Sequence, residues 1–494
     1  MAPGSLILYR AILILIVFST DIFLPSFILN LQQLKRYCRK YLFSDAFNYL
    51  FINMNKKIPL WFVLLLLWFS FIITITFGWA VWHIKSHGPL FKGKTGAVII
   101  FIASFPSLAS ESFKEFIRPN SLIRPNIYPN INGFKFEKHF VDSNYILLAT
   151  YDKILDQPVV KLIRLYDQKT IHQWLPDFEK IKKFWRKENK FWLDPHKFNI
   201  AVCHPLLSPD GSIIFNSNLS PLIKINKDSK LTWVINGMFH HSLEYDADGN
   251  IWAPSVIEHS KSLPNFLNIN NYKDDAITKV SRNGELLFKK SVAEILLENG
   301  YRGLLLGTGL YEEDLLHLND IQPALKSTKY WMKGDLLISI RHKSTVMLYR
   351  PSTNKILWLK TGPWLNQHDV DFVDSTRIGL FGNNTVRINS DESLIDGYNE
   401  EYIYDFKTNK TETPYTEFLK KAKVSTLSDG RSDILPNGDL FIEETNNNRL
   451  LRGNTKNIIW QYVNRIDPHS VAALSWSRFI TKEEFKKLTF LQKN

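Results

Sequence analysis

A phrase of about 40 residues recurs along this chain and constrains its fold more than any other feature. It consists of a turn dipeptide, an apolar strand, a second strand carrying Leu, Ile or Tyr, and a strand ending on tryptophan. The turns are Asp210-Gly211, Asp248-Gly249, Gly334-Asp335 and Asn437-Gly438; the strands after them run Ser212 to Phe215, Asn250 to Ala253, Leu336 to Ile340 and Leu440 to Ile442. The last element is KLTW ending at Trp233, KILW at Trp358 and NIIW at Trp460, with a looser IHQW at Trp174. Short strands separated by turns at this period are the signature of a β-propeller blade. Units placed at 140–175, 202–235, 240–290, 331–360, 367–408 and 430–462 predict an all-β domain over residues 131–465, a six-bladed β-propeller. Five or seven blades are the neighbouring counts, and a β-sandwich is the alternative. Residues 291–330, with SVAEILLENGYRG and LLHLND, read as a long insertion carrying a helix, and long insertions on rigid scaffolds usually carry function. Residues 466–494 read as a C-terminal tail.

A second feature sets where such a domain resides. Ile58 to Trp82 are uncharged and mostly apolar, long enough as a helix to span a bilayer with some tilt. Trp61, Trp79 and Trp82 lie near its ends, where amphipathic rings favour the interface. Lys35, Arg36, Arg39, Lys40, Lys56 and Lys57 precede it, against Lys85, Lys92 and Lys94 after it, so the positive-inside bias places the C-terminal domain on the periplasmic side of the inner membrane. Residues 54–83 are thus expected to be a transmembrane signal anchor, 84–130 a juxtamembrane linker, and 1–53 an extension. Its apolar stretch, interrupted by Arg10 and Asp21, reads either as a weak first span, giving a two-pass chain, or as no span at all.

Cys38 and Cys203 are the sole cysteines, so no disulfide framework or Cys-based zinc site is built. The net charge of +13 is spread along the chain and not gathered into the patch of a nucleic-acid binder. Gly88 to Thr95, GPLFKGKT, matches the phosphate-loop pattern, but the membrane helix and not a strand precedes it, so a basic linker is expected. His83 and His87 have the i, i+4 spacing of metal ligands without a third partner nearby, which suits lipid headgroup contact better. No metal and no cofactor is expected.

Histidines recur in register with the repeat. HPLLSPDG begins at His204, HSLEYDADG at His241 and HDVDFVDS at His368, while RSDILPNG begins at Arg431. In a propeller, the starts of the inner strands converge on the central channel, so groups distant in sequence meet there. His317 lies in EEDLLHLNDIQPA, and Arg341 ends the buried strand LLISIR, where an unpaired guanidinium is costly and calls for an anion. A channel lined by imidazoles and an Arg suits an oxyanion.

These residues resemble the arylsulfotransferase (aryl sulfate sulfotransferase) family of six-bladed propellers. The resemblance rests on FHHSLEYDADGNIW from Phe239, DLLHLNDI from Asp314, GDLLISIRHKSTV from Gly334, NQHDVDFVDSTRIGLFGNN from Asn366 and LPNGDLFIEETNNNRLLR from Leu435, and covers roughly residues 130 to 465. It implies a catalytic set of His241, His317, Arg341 and His368, with His240 as the alternative for the first, and His240, His204 and Arg431 toward substrate. The implied reaction carries a sulfuryl group from an aryl sulfate donor to a phenolic or other hydroxyl acceptor through a sulfohistidine at His368, with no nucleotide sulfate donor. The expected partners are the donor, the acceptor and the membrane, not nucleic acid, and a homodimer is left open. The chain departs from soluble family members, which have an N-terminal β-sandwich and a disulfide, by its anchor and its lack of a Cys pair. The competing reading is a non-catalytic propeller serving as a binding or scaffold module of the cell envelope.

Overall fold

The computed structural model describes residues 60–86, 90–91, 93–117, 120–137, 140–184, 200–257, 272–307, 314–388 and 392–491. The extension 1–53 lies outside them. The chain divides into two units, Met1–Ile117 and Arg118–Asn494.

In the first unit, Leu60–Lys85 is one helix, and its segment Leu64–Ile84, of mean hydropathy 2.1, is long and apolar enough to cross a membrane. A second helix, Lys94–Ile117, occupies most of the stretch read as linker. Its run AVIIFIASF has helix-compatible apolar residues but no polar stripe, so it carries no amphipathic signal, and Pro106 inside it reads locally as a breaker. This helix begins beside Gly93-Lys94-Thr95, as a phosphate loop would require, but a helix and not a strand comes before. His83 is engaged locally: its Nε2 accepts the Leu90 N–H at 3.2 Å and its ring packs on Trp79. His87 lies outside the described residues.

The second unit is mostly β, built from antiparallel sheets. Its strands fall into four-stranded groups in chain order. The first comprises Arg478–Ile480, Tyr145–Asp152, Gln157–Arg164 and Lys169–Trp174; the second runs from Cys203–Leu207 to Leu231–Phe239 and the third from Glu244–Tyr245 to Leu286–Ser291. These last two join through Ser255 and Val256, which pair with Phe239 and Met238. The fourth group spans Leu318–Pro323 to Lys355–Thr361, the fifth Gln367–Phe372 to Lys410–Glu412, and the sixth Arg431–Ile434 to Ile458–Val463, with Gly133–Phe136 added at its outer edge.

Two boundaries differ from the sequence reading. Leu318–Pro323 is the first strand of the fourth group and not part of an insertion; the helices of that stretch are Val292–Glu298 and Arg302–Leu306. The strand LNDIQP is not followed directly by its turn dipeptide, because its hairpin to Leu336–Ile340 is a longer loop that reaches Gly334-Asp335 only at its end and is closed by Ala324 N–H to Asp335 O. The supposed tail also folds into the domain: Ser470–Ala472 pairs with Ile123–Pro125, Arg478–Ile480 pairs with Tyr145–Leu147, and the Phe485 ring stacks on Tyr145.

Apolar clusters fill the space between consecutive groups. One joins groups one and two around Leu147, Trp174, Ile213 and Phe215, and another joins three and four around Ile277, Ile295, Leu318 and Ile338. The cluster of Phe441, Leu450 and Trp460 with Ile146 and Leu148 returns from group six to group one. The recurring tryptophan has a physical task here, since from the fourth strand it reaches the neighbouring group. Trp174 Nε1–H donates to Gly211 O at 2.8 Å, Trp233 Nε1–H to Arg282 O at 3.3 Å and Trp460 Nε1–H to Asp142 Oδ2 at 3.0 Å, while Trp358 stacks on Tyr404. Gly211 cannot be replaced freely, because its φ is +81° and an added Cβ would lie 2.6 Å from the Phe490 ring.

A polar seam links the first strands. Leu243 N–H donates to His204 Nδ1 (3.0 Å), Ile321 N–H to Ser242 Oγ (3.2 Å), Val370 N–H to Asp320 Oδ2 (2.9 Å) and Ser432 N–H to Asp369 Oδ2 (2.8 Å). Arg431 Nη1–H donates to Ser477 O (3.3 Å), and Arg478 Nε–H donates to Pro205 O (2.9 Å), back in group two. Buried strand-edge N–H and C=O groups are thereby satisfied by side chains of the adjoining group.

Candidate functional site

The repeat delivers its histidines to the entries of the first strands. His241 lies in the turn before Glu244–Tyr245, His317 directly precedes Leu318–Pro323, and His368 is the second residue of Gln367–Phe372. His204, His241 and His317 adopt left-handed backbone at φ 44°, 54° and 54°. Such conformations are uncommon for non-glycine residues and persist where surrounding structure holds them. Arg341 follows Leu336–Ile340 in a short 3₁₀ turn, Arg341–Lys343, tied to the histidine segment by Arg341 N–H to His317 O and His342 N–H to Leu316 O, both 3.1 Å.

Ring nitrogens of His241, His317 and His368 lie within 4.8 Å of one another. The rings of His241 and His317 are centred 5.2 Å apart, those of His241 and His368 5.3 Å. Each of the first two is held from behind. His317 Nδ1 is 2.5 Å from Asp314 Oδ2, so an Nδ1–H donor leaves Nε2 as the lone pair. His241 Nδ1 is 2.7 Å from His240 Nδ1, and His240 Nε2 is 3.3 Å from Asp275 Oδ1. With the His240 proton on Nε2 facing this carboxylate, His241 donates through Nδ1–H and keeps its Nε2 lone pair. Lys273 bridges the two supporting carboxylates, 3.4 Å from Asp275 and 3.3 Å from Asp314. His368 is fully buried, and neither of its ring nitrogens has a hydrogen-bond partner among the described residues; Nε2 lies 3.9 Å from Asp429 Oδ1.

Burial keeps these imidazoles neutral. His368 is held well below the usual histidine range by desolvation, reinforced by the Arg341 charge; His241 by desolvation and the crowding of His240, His317 and His368. Desolvation and Lys273 lower His240 against the pull of Asp275. Desolvation brings His317 to about 4 although Asp314 opposes it. A cluster of neutral imidazoles offers lone pairs, suited to nucleophilic attack or ligation. The Arg341 charge acts on His368; its Nη2–H donates to Leu427 O at 3.5 Å, and its Nε lacks a partner among the described residues.

His204 and Arg431, expected to face substrate, are spent on each other: His204 Nε2 is 2.9 Å from Arg431 Nη1, and Arg431 Nη2–H donates to Asp433 Oδ1 at 2.7 Å. Both belong to the polar seam between the first strands. Trp476, in the stretch expected to be a tail, packs on both the seam and the histidine cluster. Its ring is centred 5.3 Å from His204, 5.9 Å from His241 and 5.0 Å from His368. The repeat gave no signal for it, because the strand that follows, Arg478–Ile480, is only three residues long. Asp314, in the resembling phrase DLLHLNDI, could have been found from its i, i+3 spacing to His317.

The seam also concentrates buried carboxyls. Burial and the neighbouring Asp371 push Asp320 up to about 8, and burial drives Asp369 and Glu401 well above their ordinary values. Raised folded pKa values mean that the folded state binds more protons than the unfolded one, so the stability they contribute is full below pH ~4 and is lost as pH rises toward about 8. Above about pH 7, where unfolded histidines no longer bind protons, urea midpoints are therefore expected to fall toward pH 8, and Asp320→Asn to flatten that slope. A midpoint that rises over this window would contradict the account.

A family profile described as Arylsulfotransferase (ASST) matches residues 204–465, which contain His241, His317, Arg341 and His368. No curated protein matches the chain. Among solved structures, a protein of unknown function from Bacteroides caccae is 13% identical over 68% of this chain and 99% of its own, with a TM-score of 0.42. A functionally unknown protein from Desulfotomaculum acetoxidans is 8% identical over 69% and 99%, with a TM-score of 0.36. Virginiamycin B lyase from Staphylococcus aureus is 11% identical over 54% and 72%, with a TM-score of 0.31.

Proposed function

The chain belongs to the arylsulfotransferase family, and from that premise we propose that it is a membrane-anchored sulfotransferase moving a sulfuryl group from an aryl sulfate ester to a phenolic or other hydroxyl acceptor, by way of a sulfohistidine and without a nucleotide sulfate donor. The observation that carries this reading is the meeting of three neutral imidazoles from three strand groups in one cluster, under the charge of Arg341. A lone pair of His368 attacks sulfur, the sulfur–aryl oxygen bond breaks, and the departing phenolate takes a proton from His317. Arrival of the sulfate's negative charge favours the protonated imidazole that this step needs. In the second half, the acceptor hydroxyl gives its proton to His317 and attacks sulfur as the nitrogen–sulfur bond breaks. Arg341 and the neighbouring imidazoles hold the peripheral oxygens, where charge accumulates in the transition state.

In the same reading the scaffold is a six-bladed propeller. The support is the seam of hydrogen bonds that passes from group to group and comes back from Arg478 to Pro205, together with the apolar cluster returning from group six to group one. The helix Leu60–Lys85 is the anchor, and the cations ahead of it favour a periplasmic catalytic domain. Incubation with a chromogenic aryl sulfate is expected to release phenol faster when an acceptor phenol is added. No release with any aryl sulfate tried, with or without acceptor, would favour the non-catalytic binding module instead.

A further inference from the structure

The pocket's imidazoles present a second chemistry. We propose that His241, His317 and His368 form a three-nitrogen site for a divalent cation of the zinc class, taken up in competition with the sulfuryl ester. In a tetrahedral site with a metal–nitrogen distance of about 2.0–2.1 Å, imidazole ring centres sit roughly 5 Å apart. The separations of His241 from His317 and from His368, 5.2 and 5.3 Å, match that geometry, and the three ring nitrogens, within 4.8 Å of one another, would draw inward on the cation. The outward nitrogen of His317 is held by Asp314, and that of His241 by His240, whose Nε2 lies 3.3 Å from Asp275 Oδ1. Carboxylate-backed histidines of this kind have a fixed tautomer, an oriented ring and increased basicity at the ligating nitrogen. His368 supplies the third position, fully buried with both ring nitrogens unpartnered among the described residues.

The surrounding charge permits a cation. A carboxyl stands near each imidazole or its supporting ring, Asp275 by His240, Asp314 by His317 and Asp429 by His368, with Lys273 and Arg341 as neighbouring cations. Neutral imidazole is the borderline ligand that suits zinc, copper or nickel, whereas magnesium and calcium prefer oxygen donors. Three protein nitrogens leave a fourth position open. A nucleophile whose lone pair is coordinated cannot attack sulfur, so the cation acts as an inhibitor. That competition rests on the sulfuryl-transfer reading; the cation site itself does not.

The test uses the full chain in detergent, without a polyhistidine tag, stripped with a chelator and titrated with cobalt(II) and zinc chloride in the absence of donor and acceptor. One equivalent of cobalt per chain, with the intense visible bands of low coordination, is expected, and zinc should displace it. His241→Ala and His368→Ala should each weaken zinc binding at least ~10-fold, and Asp314→Asn by about 10–100-fold through loss of the carboxylate that orients His317. Thermal melts and near-ultraviolet dichroism would identify variants that fail to fold. For any such variant, nitrogen hyperfine structure in the copper(II) resonance of the wild-type chain supplies an independent readout. His342→Ala should leave binding unchanged; loss there, with His241→Ala and His368→Ala unaffected, would shift the ligands to Asp314, His317 and His342 and overturn the assignment. Binding that survives substitution of all three histidines, or the pale spectrum of six oxygen donors, would also overturn it. If zinc binds as described but no aryl sulfate reacts, the transferase reading falls and the cation site stands. If transfer proceeds undiminished at millimolar zinc, the cation proposal falls alone.

Discussion

Replacing His368 with alanine is expected to abolish sulfuryl transfer and to eliminate any acid-labile adduct of sulfur trioxide mass on the protein. The residue is fully buried, and burial together with Arg341 keeps its imidazole neutral, the form that attacks. Neither ring nitrogen is committed to a hydrogen bond among the described residues, so its lone pair is not shared with a structural partner. His241 and His317 do have such commitments, to His240 and Asp314, which suits them to holding oxygens and moving protons. Covalent catalysis without its nucleophile has no second route of similar barrier, and a loss of several orders of magnitude should follow. Mass spectrometry of the protein mixed with donor alone would check it. An adduct mapped to His241 or His240 would move the nucleophile while keeping the reaction, and full activity in the variant would refute the assignment.

The largest structural effect is expected at Trp460. Its side chain is fully buried among Phe441, Leu450 and Ile146, packs edge-on to Phe134 and donates to Asp142. Removing so large a buried ring costs about 3–5 kcal/mol through lost transfer energy and the cavity left behind. Against a total stability of about 5–15 kcal/mol, that loss approaches unfolding. Trp460→Phe keeps much of the volume and gives up the indole N–H, so it should cost only about 1–2 kcal/mol through the lost hydrogen bond. Urea unfolding of the three proteins would rank them. A Trp460→Ala midpoint close to that of wild type would mean that the contact between the sixth and first groups carries little of the stability.

What the sequence revealed and what it hid follow from the range of the interactions. Turn dipeptides and strand-ending tryptophans are local signals, and each of Trp174, Trp233, Trp358 and Trp460 is found reaching across to the neighbouring strand group. Recurrence of His241 and His368 at strand entries likewise anticipated groups that meet in space. The same register argument misled at His204 and Arg431. Sequence alignment cannot separate a side chain at the pocket from one at the next level down, where these two face each other. Trp476 and the strand Arg478–Ile480 were hidden because three residues carry no period and their partner, Tyr145–Leu147, lies more than 300 residues away. The helix Lys94–Ile117 escaped for another reason, since an apolar run without a polar stripe resembles linker directly after a long apolar helix.

The placement of Arg478–Ile480 has a consequence for how the domain comes into being. Tyr145 emerges from the ribosome 335 residues before Ile480, its partner in the first sheet. At about 5–20 residues per second, the first group therefore waits on the order of tens of seconds with one strand edge bare. Over that interval Tyr145–Asp152, a strand of largely buried side chains, presents open backbone to any extended chain that passes. Biogenesis, more than the finished fold, is where this architecture is exposed, and a holdase that shields one early strand until the last one arrives would act at its most vulnerable point.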